Sequence, residues 1–167
     1  TPTLKMFIPA FLSGAPMDLI HAIATAFFLW VGAEAMIDKI ESINIEFNGK
    51  QYLVYSLNFG VPHAVIYTTE EITEELGKYI SNHPYFVNKT NVNFVNIIDE
   101  NNIKIITYER GVGFTKACGT GSCSSVVVSK KLGLVKNEVF VHQALGKLLI
   151  TIEDNNITNR ETMASPQ

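Results

Sequence analysis

The densest chemistry in the sequence lies in the run Tyr108-Glu109-Arg110-Gly111-Val112-Gly113-Phe114-Thr115-Lys116-Ala117-Cys118-Gly119-Thr120-Gly121-Ser122-Cys123, where four glycines surround Cys118. Glycine lets backbone amides approach a ligand with no side chain in the way. A helix expected to start near Thr120 would aim unpaired N–H groups and the positive end of its dipole at the same point, so an anion fits there. A thiol at that junction is expected to have its pKa lowered from about 8.5, which would make Cys118 a usable base. The same residues also allow a plainer arrangement, in which Gly119 and Gly121 only turn the chain and Cys118 is a small buried apolar group. Other glycine-loop chemistries do not fit. No Lys-Ser/Thr follows at the spacing of a phosphate loop, no third glycine completes a dinucleotide fingerprint, and Ser122 is not the centre of a nucleophile elbow. Cys118 and Cys123, five residues apart, make neither a disulfide framework nor a metal-ligand spacing. No pair among His21, His63, His83 and His142 has metal spacing, so no metal site is expected.

The elements that must hold this segment are a mixture of strands and helices. Ile43, Ile45 and Phe47 alternate with polar residues, Asn48-Gly49 supplies a tight turn, and Gln51 to Tyr55 runs back as the second strand of a hairpin. Val65 to Tyr67 reads as a strand. Thr69 is expected to open a helix with acidic residues in its first turn and a core-facing stripe at Ile72, Leu76 and Ile80. Asn93 to Ile98 and Ile103 to Tyr108 form a second hairpin across Asp99-Glu100-Asn101-Asn102. After the glycine-rich loop from Gly111 to Gly121, a helix from about Thr120 to Leu132 carries Val126-Val127-Val128 in its middle and Gly133 at its end, a pattern of burial. Glu138 to Val141, Leu148 to Glu153 and Ile157 to about Thr162 complete the strands, with Asp154-Asn155-Asn156 turning between the last two.

The 167 residues suit one domain over 1–163 with a short tail at Ala164 to Gln167. Hydrophobic residues make up 47% and charged residues 17%, enough apolar material for a core. The net charge of -3 leaves no basic field to neutralise a phosphate backbone, so nucleic acid is not an expected partner. Residues 1–13 show no secretory pattern, and the cysteine usage suits a reducing, cytoplasmic setting. Leu19 to Ile37 carries Glu34 as its single formal charge and approaches the length that spans a bilayer. Against a membrane stand His21, Thr25 and Gly32 near one helical face and the absence of flanking basic or aromatic clusters. A helix capped by Asp18, and covered by its own domain or by a second chain, is expected instead.

Glu109-Arg110-Gly111, leading through Thr115 to Ala117-Cys118-Gly119-Thr120-Gly121, closely resembles the signature of the diaminopimelate epimerase family. Gly60-Val61-Pro62-His63-Ala64-Val65 resembles that family's Gly-Asn-Pro-His segment, and Thr90-Asn91-Val92-Asn93-Phe94-Val95 its Thr-Asn-Val stretch. The likeness runs from Ile43 to Glu153 and is weaker at the start, where Leu4 to Phe11 echoes the strand that opens the family's C-terminal half. It implies a half-barrel α+β fold, with mainly antiparallel strands wrapped around a central helix. It also implies inversion of an amino-acid α-carbon without a cofactor, in which a base removes the α-proton from one face and an acid returns it from the other.

On that resemblance Cys118 is one of two opposed cysteines, and the amides of Gly119 and Thr120 cradle the substrate carboxylate. His63 and Glu109 assist proton transfer, and Asn91, Glu109 and Arg110 contact the diaminopimelate substrate. Read without the family, His63 is a local turn residue, Glu109-Arg110 a surface pair and Asn91 a strand cap. Cys123 lies a turn and a half along the same helix and reads as packing, so the opposing thiol must come from a missing N-terminal half or a second copy. Val61 stands where the family places a substrate-binding Asn, and Phe114 where it places Glu. Ala144-Leu145-Gly146 replaces a Pro-Gly-Gly-like turn. Two functions therefore compete: an epimerase half-site that needs a partner, and a non-catalytic or engineered, excised scaffold domain able to self-associate.

Overall fold

The structure, a computed structural model, describes residues 39–153 and 156–160. The helix expected over Leu19 to Ile37 with its Asp18 cap, the strand from Leu4 to Phe11 and the tail from Ala164 lie outside the described residues. The rest is a mixed α+β unit. Strand β1 (Glu41–Phe47) pairs with β2 (Lys50–Phe59) through the expected turn, where Asn48 and Gly49 take φ of 51° and 78°. Those two left-handed residues give the turn a twist that matches the flanking strands, which is why Asn-Gly marks a hairpin. β3 (Val61–Tyr67) follows, then helix α1 (Glu74–Ser81), and the hairpin of β4 (Asn91–Asp99) and β5 (Asn102–Glu109). A three-strand remainder, β7 (Glu138–Gln143), β8 (Gly146–Glu153) and β9 (Asn156–Arg160), closes the chain after helix α2 (Gly119–Lys131).

Two expectations needed correction. Helix α1 begins at Glu74 and not at Thr69, because Thr73 is extended and its hydroxyl accepts the Leu76 N–H at 3.2 Å. Glu70 and Glu71 imitate the acidic first turn of a helix but precede the cap. The segment expected to be a continuous loop from Gly111 contains a short strand, β6 (Gly113–Thr115), which pairs with β5.

The strands form one sheet in the order β1-β2-β3-β4-β5-β7-β8-β9, with β6 beside β5. Only β3/β4 and β5/β7 are parallel, and each of these pairs is joined by a connection containing a helix, as parallel neighbours require. The helices lie on opposite faces. Along β3 and β4, Ala64, Ile66, Val92 and Phe94 join the cluster that buries Leu76 and Ile80 of α1. The alternate residues Val65 and Val95 join the cluster that buries Cys123, Val126, Val127 and Val128 of α2.

Helix α2 is the central element that the sequence led us to expect. It packs against β2, β3, β4, β5, β7 and β8, and every residue from Gly121 to Ser129 is buried. A helix enclosed on all sides by strands needs narrow side chains, and this one has glycine, serine, cysteine and valine. The buried hydroxyls are largely satisfied within the helix: Ser122, Ser125 and Ser129 donate to the carbonyls four residues earlier at 2.7–2.8 Å. Ser129 is then free to accept from the Tyr67 hydroxyl at 2.7 Å, which ties β3 to the far end of α2.

Candidate active site

Cys118 is the N-cap of α2. Its backbone is extended, its carbonyl accepts the Ser122 N–H at 3.0 Å, and its sulfur accepts the Gly121 N–H at 3.3 Å. The Thr120 hydroxyl lies 3.6 Å from the sulfur. The residue is half-buried, so it is neither sealed in the core nor fully in water, while Gly119 beside it is exposed. Cys123, by contrast, is 0% exposed among the valines of the core, as a packing residue should be.

The expected fall in the thiol pKa does not occur. Burial is the largest influence and pushes the Cys118 thiol up. The hydrogen bonds from Thr120 and Gly121 oppose it, and the nearby charge of Glu109 reinforces it. One helix terminus therefore does not outweigh the loss of water around sulfur. Burial thus favours the neutral thiol over the thiolate.

The other expected residues gather at the same end of the sheet. His63, near the start of β3, lies opposite Asn91 at the start of parallel β4. Asn91 accepts the backbone N–H of Arg110 at 3.0 Å, just past the end of β5. The Arg110 guanidinium donates to the Asn88 carbonyl at 2.9 Å, and this clip holds the β5 terminus against the segment leading into β4. Glu109 closes β5 opposite Gly113 of β6, near enough to act on the Cys118 thiol through its charge. His63 is fully buried, and burial, aided by the positive charge of Arg110, lowers its pKa to about 3. The ring is therefore neutral. His63, Asn91, Glu109 and Arg110 thus lie at neighbouring strand ends.

Two residues to which the sequence assigns no role lie beside them. The Gln143 side chain, at the end of β7, accepts the Cys118 backbone N–H at 2.7 Å and so anchors the turn that carries the thiol. Asn93, two residues beyond Asn91, touches both the His63 ring and α2. A Cβ built on Gly121 would stand 2.3 Å from the Asn93 carboxamide oxygen and 3.1 Å from the Cys118 sulfur. Glycine at 121 is thus what lets the thiol-bearing turn close onto β4. Asn93 had a signal, being a polar residue inside the apolar run Val92 to Val95; Gln143 had none.

The two departures are also visible. Phe114 is 41% exposed on β6 with its ring edge-on to Tyr108 at 5.5 Å, and Val61 is half-buried at the start of β3. A separate groove of about 750 Å³, lined by residues including Tyr52, Tyr55, Tyr67 and Leu134, touches none of the residues expected to act. Among the described residues no helix is long and apolar enough to cross a membrane.

The family described as diaminopimelate epimerase matches residues 55–167. The diaminopimelate epimerase of Clostridium perfringens is 43% identical over 124 residues, 74% of this chain and 44% of that protein. Those of Caldanaerobacter subterraneus and Methanococcus aeolicus are 41% and 40% identical over 115 and 129 residues, covering 67% and 72% of this chain. The chain spans less than half the length of these curated relatives, 42–44%, and matches their C-terminal part. With the match extending over so much of the chain and including the whole Cys118 segment, the protein belongs to the diaminopimelate epimerase family.

Proposed function

We propose that this chain supplies the Cys118 half of a cofactor-independent site that epimerises diaminopimelate, one thiol on each face of the α-carbon. The observation that carries the reading is the sulfur of Cys118 at the head of a buried helix, half-exposed, beside the amides of Gly119 and Thr120. Cys118 is the acid–base group. The Gly119 and Thr120 amides receive the α-carboxylate, whose charge the helix terminus favours. Asn91 and Arg110 hold each other and present donors to the substrate, with Glu109 contacting it from the end of β5. His63 and Glu109 assist proton transfer. An α-ammonium group arriving beside the sulfur would favour thiolate and offset the effect of burial.

Inversion requires a second thiol, and Cys123 cannot provide it from inside the core. The partner is polypeptide outside these residues, equivalent to the other half of the family's cleft, or a second copy of the chain, in a reducing compartment such as the cytoplasm. Exposed Phe114 and half-buried Val61 favour a second reading, a non-catalytic scaffold that binds another chain through this face.

The test is exchange of the α-hydrogen of diaminopimelate with deuterated solvent, measured for the chain alone, for the chain with a relative's N-terminal half, and for both with Cys118→Ala. The half-site reading expects exchange that disappears in the variant and inversion only when the second half is present. Absence of exchange under every condition would leave the scaffold.

A further inference from the structure

Two ring nitrogens of a neutral histidine have opposite roles, and the surroundings of His63 decide which is which. Its Nδ1 lies 3.0 Å from the Asn93 carboxamide nitrogen. That nitrogen also points at the Ala64 carbonyl, 3.3 Å away, while the Asn93 oxygen accepts the Thr107 hydroxyl at 2.9 Å. Turning the carboxamide over would set its oxygen against the Ala64 carbonyl with no proton between them. The orientation is therefore fixed by the backbone of β3, and Asn93 can only donate to His63. An accepting Nδ1 carries no proton. The proton of the neutral ring sits on Nε2, a buried atom without a hydrogen-bond partner among the described residues.

We propose that Asn93 is a positioning residue that holds His63 as its Nε2–H tautomer, so that His63 serves the Cys118 cleft as a neutral hydrogen-bond donor. The donor would meet an anionic oxygen or sulfur, a substrate carboxylate or a thiolate. This identity of the acceptor rests on the function proposed above; the tautomer itself does not. The low pKa of the ring agrees with the assignment, since a ring that stays neutral keeps a single proton to place. A buried donor left unmet costs free energy, which is commonly repaid by a ligand or a transition state. Proton abstraction then belongs to Cys118 with Glu109 assisting, and His63 assists by stabilising the negative charge that develops.

The experiment is a long-range proton–nitrogen correlation spectrum of the imidazole rings in the uniformly nitrogen-15-labelled chain, without substrate. The wild-type spectrum is expected to show His63 with a protonated Nε2 and a bare Nδ1, favoured at least about tenfold. Asn93→Asp, which can only accept, is expected to move the proton to Nδ1. A wild-type His63 protonated at Nδ1 or at both nitrogens near neutral pH would overturn the proposal even if the variant fails to fold, and so would an unchanged tautomer in Asn93→Asp. Because no substrate is present, loss of the epimerase reading would leave this result standing, whereas a failed tautomer would not touch the exchange assay. In that assay Asn93→Asp is expected to lower Cys118-dependent exchange about tenfold or more, with recovery in Asn93→Gln if its amide reaches the same ring nitrogen.

Discussion

The two faces of one sheet are built on different terms. The face covered by α1 is closed by Ile45, Val54, Ile66, Leu76, Ile80 and Phe94, with α1 amphipathic and its polar side in water. The face covered by α2 has an apolar centre, but at the end where α2 starts it turns polar, with His63, Asn93 and Thr107 buried in one hydrogen-bonded chain. Strand periodicity makes this division unavoidable, since neighbouring residues of β3 and β4 point to opposite sides. What the difference teaches is where the protein accepts a stability cost. An apolar face needs only to fill space, whereas the polar end must partner its groups and, among the described residues, still leaves the His63 Nε2 unmet.

The largest contrast between the faces should appear in acid. His63 has a folded pKa of about 3 against the ordinary 6.5, so between those values the unfolded chain binds the proton that the folded chain refuses. Stability therefore rises with pH across that window and is lost as pH falls, by at most about 1.4 kcal/mol per unit. Urea unfolding should show wild type losing roughly 3 kcal/mol more than His63→Gln between pH 7 and pH 4. Ile80→Val on the other face should lower stability by about 1 kcal/mol at both pH values alike. Equal acid sensitivity in wild type and His63→Gln would mean that the polar end is not closed to water.

A smaller effect compares two points where a helix packs tightly on the sheet. Each helix has a glycine there. An alanine Cβ at Gly77 of α1 would stand 2.7 Å from the Tyr108 ring, and one at Gly121 of α2 would stand 2.3 Å from the Asn93 oxygen. Both Gly→Ala variants should lose about 2 kcal/mol from crowding, partly offset by helix propensity worth up to about 1 kcal/mol. Only Gly121→Ala should change the rate at which iodoacetamide alkylates Cys118, because only that site touches the sulfur. Matching rates in the two variants would show that the thiol senses overall stability and not the local contact.

The sequence carried those features that depend on neighbours in the chain. Asn48-Gly49 announced its hairpin, and the glycines around Cys118 followed by Val126-Val127-Val128 announced a buried helix with a thiol at its head. What failed depended on distant residues. Gly113-Phe114-Thr115 looks like loop between glycines and becomes strand only because β5 offers it a partner. The start of α1 was misplaced because Glu70-Glu71 and Glu74-Glu75 are equally acidic, and the cap chemistry of Thr73 decides between them. The direction of the Cys118 pKa was missed for the same kind of reason, since burial is created by β-strands far along the chain and no spacing within the motif encodes it.

The smallest effect concerns the caps, and it separates stability from chemistry most sharply. Thr73 and Cys118 do the same structural task for α1 and α2, accepting the N–H three residues on at 3.2 and 3.3 Å. A threonine hydroxyl is a good acceptor and a thiol sulfur a poor one, so Thr73→Ala should cost about 1 kcal/mol and Cys118→Ala about half of that. Serine is among the best N-caps, and Cys118→Ser should raise stability by roughly 0.5 kcal/mol while removing the thiol. Thermal denaturation of the three variants checks the order. A Cys118→Ser protein less stable than Cys118→Ala would show that the site selects sulfur for its size or for packing. The opposite result would mean that α2 retains a weaker cap than serine would provide, a sacrifice that α1, whose threonine cap carries no thiol chemistry, does not make.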